Sequence, residues 1–402
     1  MVTGWPFVRS TDRLERGSLT LGYVPLTDCA PLAVAAAHGY FRDEGLSVRL
    51  QPLRSWAAVR DHLHTGLIDG AQLLAPMVLA ANLGLEGGGA RLATALTLSL
   101  NGNGITLSRE LADRLSRYAA VDPRSPQAVA RALAEYLRVE QPRRRPRLAS
   151  VYPFSSHHYL LRYWLAAGGV DPDRDVELRV VPPPLVGEHL ADGRIDGFCV
   201  GEPWNSAAVS RGTGVLVASG YRIWNNGQEK VLGVRREWAE AHPQTHLALV
   251  RALLRACRWL DRQRHRADAA RLLADEGYVA LPVTDLERAL CCGADVDEED
   301  FIVFHRYAAN FPWRSHTLWF ARQMHRWGHL PETADVAAAA SASVLPKVYR
   351  DAAGGLGLPC PDTDVKSEGR HAQPWMLSAG DTVLPMGPDR FMDGAVFEPS
   401  GI

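Results

Sequence analysis

A chain of 402 residues is too long for one ordinary hydrophobic core, so two lobes or domains are expected. Hydrophobic residues make up 47% and charged residues 22%, the balance of a soluble globular protein, and no segment reaches the roughly twenty apolar residues of a membrane span. The 44 basic and 45 acidic residues leave a net charge of −1, which excludes a global field for nucleic acid or for a membrane surface.

In chain order, Met1 to Gly17 carries Arg9, Asp12, Arg13, Glu15 and Arg16 and lacks the apolar run of about seven to fifteen residues that a secretory signal needs. A cytoplasmic location is the resulting expectation. Leu19 to Leu26 reads as a buried strand. Thr27-Asp28 then signals a helix start, and an alanine-rich helix runs to Phe41. Val48 to Leu53 is a second strand, Ser55 caps a helix to about His64, and Asp69 to Leu74 is a third strand. This alternation predicts a parallel α/β sheet. Gly87-Gly88-Gly89 follows a helix rather than opening one, so it reads as a loop and not as a phosphate cradle.

A short repeat is the strongest organisational signal. Residues 62–70 (HLHTGLIDG) and 189–197 (HLADGRIDG) share H-L-x-x-G-x-I-D-G, each a helix end, a glycine stop and a strand start. The second copy has its own α/β set, with strands at Leu148–Tyr152 and Val176–Val181 around a helix at Ser156–Ala167. Two α/β lobes joined by crossing strands follow, with the ligand site between them. One lobe is expected from residues 18–100 with 230–350, the other from 105–225. Long helices such as His246–Arg262 complete the first lobe. The Gly-, Pro- and Asp-rich residues 351–402 read as an irregular tail packing on it.

The run Arg143-Arg144-Arg145 beside Arg147 lies between prolines and reads as a solvated turn. The six cysteines, Cys29, Cys199, Cys257, Cys291, Cys292 and Cys360, form no C-x-x-C pair and point to a reducing compartment. Cys199 and Cys257 lie in apolar patterns, as small buried hydrophobes do. G-x-S-x-G, P-loop and H-E-x-x-H signatures are absent. His62 and His64 are two apart on a helix and point in different directions, so no metal pair is expected.

Candidate ligand residues come from four places. His157 follows the cap pair Ser155-Ser156 and shares the inward stripe with Leu160, Leu161, Trp164 and Leu165; it is either a core histidine or an anion donor at a helix N-terminus. Lys230 opens the strand KVLGV after a turn-like stretch, and is either a surface lysine or a counter-charge for an anion. Asn103 and Gly104, in Asn101-Gly102-Asn103-Gly104, sit where the chain crosses between lobes, or form a plain turn. Trp56 is a pocket wall or a core residue packing with Val59 and Leu63. Glu202, Gln72 and Asp28 are secondary candidates.

Several blocks resemble the NrtA/CmpA family of nitrate- and bicarbonate-binding proteins, and more closely the NasS-type nitrate sensors. They are DGAQLLAPM (69–77), LSLNGNGIT (98–106), SSHHYLLRYWLAAGGVDPDRDV (155–176), GRIDGFCVGEPWN (193–205), EKVLGV (229–234) and NFPWRSHTLWFARQMHRWG (310–328). The resemblance implies a type II periplasmic-binding-protein-like fold with the anion clamped between lobes. It assigns nitrate contact to His157, Lys230, Trp56, and Asn103 with the adjacent Gly104 amide. Asn103 stands where nitrate-transport members tend to carry glutamine, and His158 where Asn or Asp is usual. Nitrate is planar and acceptor-only, so its pocket needs donors; bicarbonate also needs an acceptor, for which Glu202 is the candidate, unless it pairs with Lys230. The resemblance further implies a non-enzymatic cytoplasmic nitrate/nitrite sensor, free of cofactor and metal, that controls an ANTAR-type (NasT-like) RNA-binding antiterminator without itself touching nucleic acid or membrane. The alternative is the substrate-binding subunit of an ABC nitrate or bicarbonate transporter.

Overall fold

The computed structural model describes residues 13–87, 89–122, 124–291 and 301–399; residues 1–12, Gly88 and Cys292 lie outside that set. β1 (Ser18–Tyr23) pairs in parallel with β2 (Ser47–Pro52) and β3 (Gly70–Leu74), and β4 (Leu92–Asn101) follows. The chain then enters a second sheet through β5 (Asn103–Ser108), β6 (Arg147–Ser150), β7 (Glu177–Val180), β8 (Gly197–Gly201) and β9 (Gly214–Ser219). It returns as β10 (Gln228–Arg235), and β11 (Ile302–Val303) adds an edge. The sheet orders are β11-β4-β10-β3-β1-β2 and β7-β6-β8-β5-β9. The molecule is therefore two-lobed, with crossings at β4–β5 and β9–β10. Among the described residues no helix is long and apolar enough to cross a membrane.

Both crossings turn on an asparagine with left-handed backbone, Asn101 (φ 59°) and Asn226 (φ 56°), each followed by glycine. Asparagine tolerates that region because its short amide bonds locally. The Asn101 N–H donates to the Gly227 carbonyl at 2.9 Å, and Asn101 Nδ2 to Asn226 Oδ1 at 3.1 Å. The two connections thus run side by side.

The sequence repeat does the same work in each lobe. The N–H groups of residues 67 and 68 donate to the His62 carbonyl, and those of 194 and 195 to the His189 carbonyl. Gly66 and Gly193 supply the positive φ that ends each helix. The aspartate then pins the neighbouring parallel strand: Asp69 Oδ2 accepts from Thr20 N, and Asp196 Oδ2 from Arg147 N, both at 2.8 Å. Each aspartate also takes an arginine, Arg16 at 2.9 Å and Arg144 at 2.6 Å. The basic run is thus more than a solvated turn, because Arg144 and Arg147 fix the start of β6 through Asp196.

Helix Ser156–Ala167 forms over the expected residues. The expected His246–Arg262 helix spans Pro243–Leu260 and buries Leu249, Leu253, Ala256 and Leu260 against helix Ala30–Ala37 and β4. Cys199 and Cys257 are buried. His246, on the same helix, is fully buried with no hydrogen-bond partner for Nε2 among the described residues, and burial drives its pKa down to about 4. A histidine with a lowered folded pKa gives stability that is complete above its unfolded pKa and lost as pH falls from there toward 4. His246→Met is therefore expected to lose less stability than wild type between pH 6.5 and 4.5, by about 2 kcal/mol. Urea unfolding at the two pH values checks this; identical acid sensitivity would exclude His246 as the cause.

The tail departs from expectation. Alternating Trp375–Ala379 (β12) and Thr382–Met386 (β13) form a hairpin around Gly380, whose φ is 61°. Beyond it, Phe391 stacks on Trp224 and Trp319, and Asp393 accepts from the Tyr163 hydroxyl at 2.8 Å. Tyr163 belongs to helix Ser156–Ala167, and helix Arg314–Arg326 also packs there, with Phe320 6.3 Å from Tyr159. The C-terminal third therefore also contacts a helix of the second lobe, because its aromatic residues find their partners there.

Candidate functional site

Ser55 caps helix Trp56–Thr65 by accepting from Ala58 N at 3.2 Å, which sets Trp56 at the first turn. Ser155 caps helix Ser156–Ala167 by accepting from His158 N at 3.0 Å, which sets Ser156 and His157 at its N-terminus. Asn103 is the first residue of β5, and Lys230 lies in β10 just past the return crossing. These elements meet between the lobes. Asp28, Trp56, Gln72, Asn103, His157, Glu229 and Lys230 are each at most 2% exposed.

At the centre lies the Glu229 carboxylate. Its Oε1 is 2.9 Å from His157 Nε2 and pairs with Lys230 Nζ. Its Oε2 accepts from Asn103 Nδ2 at 2.7 Å and from the Ser156 hydroxyl. Lys230 Nζ is also 2.9 Å from Asp28 Oδ2 and 5.4 Å from the Trp56 ring centroid, a cation–π distance. Gln72 donates to Asp28 Oδ1, while its own Oε1 accepts from Val24 N at 2.9 Å. Burial favours protonation of Glu229, but His157 and Lys230 overcome it and hold the carboxyl far below the usual range. For Asp28 burial prevails over Lys230, and its pKa is raised. His157 Nδ1 and Trp56 Nε1 have no hydrogen-bond partner among the described residues, and His157 Nε2 meets Glu229 Oε1 as a close charge contact without hydrogen-bond geometry. Gly201 keeps room beside the cluster, since a Cβ there would stand 3.3 Å from Asp28 Oδ2 and 3.5 Å from His157 Nε2.

His157, Lys230, Asn103, Trp56, Gln72 and Asp28 are thus brought together from distant parts of the chain. Asp28 is not a helix cap: Leu26 holds the N-cap position with no side-chain bond, and the Asp28 carboxylate turns inward to Lys230. Gly104 adjoins Asn103, but a Cβ there would meet Leu216, the Ala218 carbonyl and Asn205 rather than the cluster. Glu202 does not pair with Lys230. Its side chain accepts from Ser206 N at 3.1 Å, and its pKa is raised to about 7 by burial, with Asp285 and Arg288 as its charged neighbours. It meets the first lobe by its backbone, the carbonyl accepting from Thr27 N at 2.9 Å. Sequence reasoning missed Glu229 and Ser156, though each directly precedes a predicted ligand. Among the described residues no group of His, Cys, Asp and Glu is arranged to hold a metal.

The fold and sequence have known relatives. Residues 12–274 match the NMT1-like family. The chain is 42% identical over 329 residues to the nitrate import ATP-binding protein NrtC of Synechocystis sp., covering 79% of this chain and 47% of that protein, so it spans just under half of that relative's length. It is 31% identical over 404 residues to the nitrate/nitrite binding protein NrtA of Synechococcus elongatus, covering 96% of this chain and 88% of that one. The crystal structure of the periplasmic nitrate-binding protein NrtA from Synechocystis superposes with a TM-score of 0.82 at 26% identity, covering 97% of each chain. The chain belongs to the NMT1-like family and to the family of the NrtA nitrate/nitrite binding proteins.

Proposed function

We propose that the chain binds nitrate or nitrite between its two lobes, without transforming it, and serves as the solute receptor of an ABC importer. The observation that carries this reading is the convergence of His157, Lys230, Asn103 and Ser156 on one buried carboxylate. A carboxylate is a planar oxyanion with delocalised charge, as nitrate is, so donors placed for one suit the other. The names of the relatives support transport: they describe nitrate binding, nitrate import and bicarbonate transport. An ANTAR-type antiterminator has no counterpart in those names, and the receptor reading is preferred to the cytoplasmic sensor for that reason.

Bicarbonate is the chemical rival, since Asp28 and Glu229 can accept from its hydroxyl. Moving Glu229 aside frees its donors for an acceptor-only anion, while Asp28 stays bound to Lys230. Calorimetric titration of the purified chain with nitrate, nitrite and bicarbonate separates these readings. Saturable nitrate or nitrite binding with little response to bicarbonate is expected. Binding of bicarbonate alone would overturn the assignment.

A further inference from the structure

Glu229 belongs to β10 of the first sheet, yet three of its four polar partners, Asn103, Ser156 and His157, come from the second lobe. Asp28 is bound differently: its partners, Lys230 and Gln72, both belong to the first sheet. Asp28 is thus part of a scaffold that holds the lysine within one lobe, whereas Glu229 fills the gap between lobes. Glu229 also lies at the start of β10, just past the return crossing at Asn225-Asn226-Gly227.

We infer that the Glu229 carboxylate is the resident anion of this site, which closes the lobes on the chain's own side chain and must leave before an external oxyanion can bind. The inference rests on the interlobe site being the anion site, as proposed above. The reason is electrostatic. A third anion cannot join two buried carboxylates around one ammonium without strong repulsion, since charges this close interact by several kcal/mol even when well screened. One carboxylate has to leave or take a proton. Glu229 is the one whose departure frees donors, namely Asn103 Nδ2, Ser156 Oγ, His157 Nε2 and one face of Lys230. As a tethered ligand it competes at high effective concentration. If it occupies the donors about nine-tenths of the time, the apparent affinity for an external anion falls about tenfold. Glu229 therefore sets the affinity scale of the site, lowering the apparent affinity of every external anion by the same factor.

The test is calorimetry on the full chain with sodium nitrate and, separately, sodium formate, a free carboxylate. Glu229→Ala is expected to bind both nitrate and formate about tenfold or more tighter than wild type does. In that variant nitrate and formate should compete. Glu229→Gln keeps the shape without the charge, so it should gain nitrate affinity by a smaller factor; it decides the matter if Glu229→Ala fails to fold by circular dichroism. Formate binding to Glu229→Ala without nitrate binding to any form would support the resident anion and sink the nitrate reading. Unchanged or weaker nitrate binding in folded variants that also ignore formate would overturn the inference while leaving the nitrate reading intact, and would make Glu229 a positioning residue for Lys230 and His157.

Discussion

Lys230→Met is expected to abolish anion binding and to lower stability by about 3–5 kcal/mol, the usual result of removing one partner from a buried ion pair. Lys230 is fully buried and pairs with both Asp28 and Glu229. Without it, two carboxylates share a closed space with His157 as the nearest basic group. The binding loss follows separately, because a hydrogen bond to a charged group contributes roughly 1.5–3 kcal/mol, and 2.7 kcal/mol is about a hundredfold in affinity. The two losses can be separated with Glu229→Gln added to Lys230→Met. The double variant should regain stability, since one stranded charge is gone, but should not regain nitrate binding. Urea unfolding and calorimetry on the four proteins read both effects. Wild-type affinity in the single variant would remove Lys230 from the site.

Glu368→Ala is the second change with a large expected effect, and its outcome should differ from that at Glu229. Glu368 is a buried carboxylate with a similar set of partners: the Ser315 hydroxyl donates at 2.9 Å, Lys366 pairs with it, and His316 Nε2 lies 3.3 Å away. Ser315 and His316 lie in the first turn of helix Arg314–Arg326, as Ser156 and His157 do in theirs. Burial opposes its ionisation, but Lys366 and His316 pull its pKa down to about 2. This knot fastens the tail through paired backbone bonds between Glu368 and Phe397 at 3.0 and 2.8 Å. Its partners Ser315, His316 and Lys366 are none of the residues around Glu229, so its role is structural. A stability loss of about 3–5 kcal/mol with unchanged nitrate affinity is expected. Altered nitrate affinity in a folded Glu368→Ala protein would show that the tail knot reaches the ligand site.

Much of this was legible in the sequence, because periodicity and punctuation act locally. The H-L-x-x-G-x-I-D-G repeat exposed two equivalent lobes, since the glycine stop and the strand-pinning aspartate are needed at the same place in each. The Ser155 cap and the apolar stripe placed His157 within its helix. Glu229 was not legible, and its backbone explains why. Neighbouring strand residues point to opposite faces, so regular alternation allows only one of Glu229 and Lys230 to face the site. In β10 the pairing with β4 shifts register on both sides of Lys230, and such irregularities re-aim side chains. Asp28 was a secondary candidate whose partner was not legible: a Thr-Asp pair before an alanine-rich run also matches a capping signal, and only the tertiary fold brings Lys230 close enough to claim the carboxylate. The hairpin at 375–386 was hidden by the Gly and Pro around it, although Pro385 is tolerated in a two-stranded edge.

The central claim is that a planar oxyanion takes the place the Glu229 carboxylate now holds, and a crystal structure grown in saturating nitrate tests it most directly. The account predicts nitrate between the lobes, with oxygens within about 2.7–3.2 Å of Lys230 Nζ, His157 Nε2 and Asn103 Nδ2, and Glu229 withdrawn from all three. Nitrate bound elsewhere, or Glu229 still held by His157 and Lys230 with no anion beside them, would contradict it.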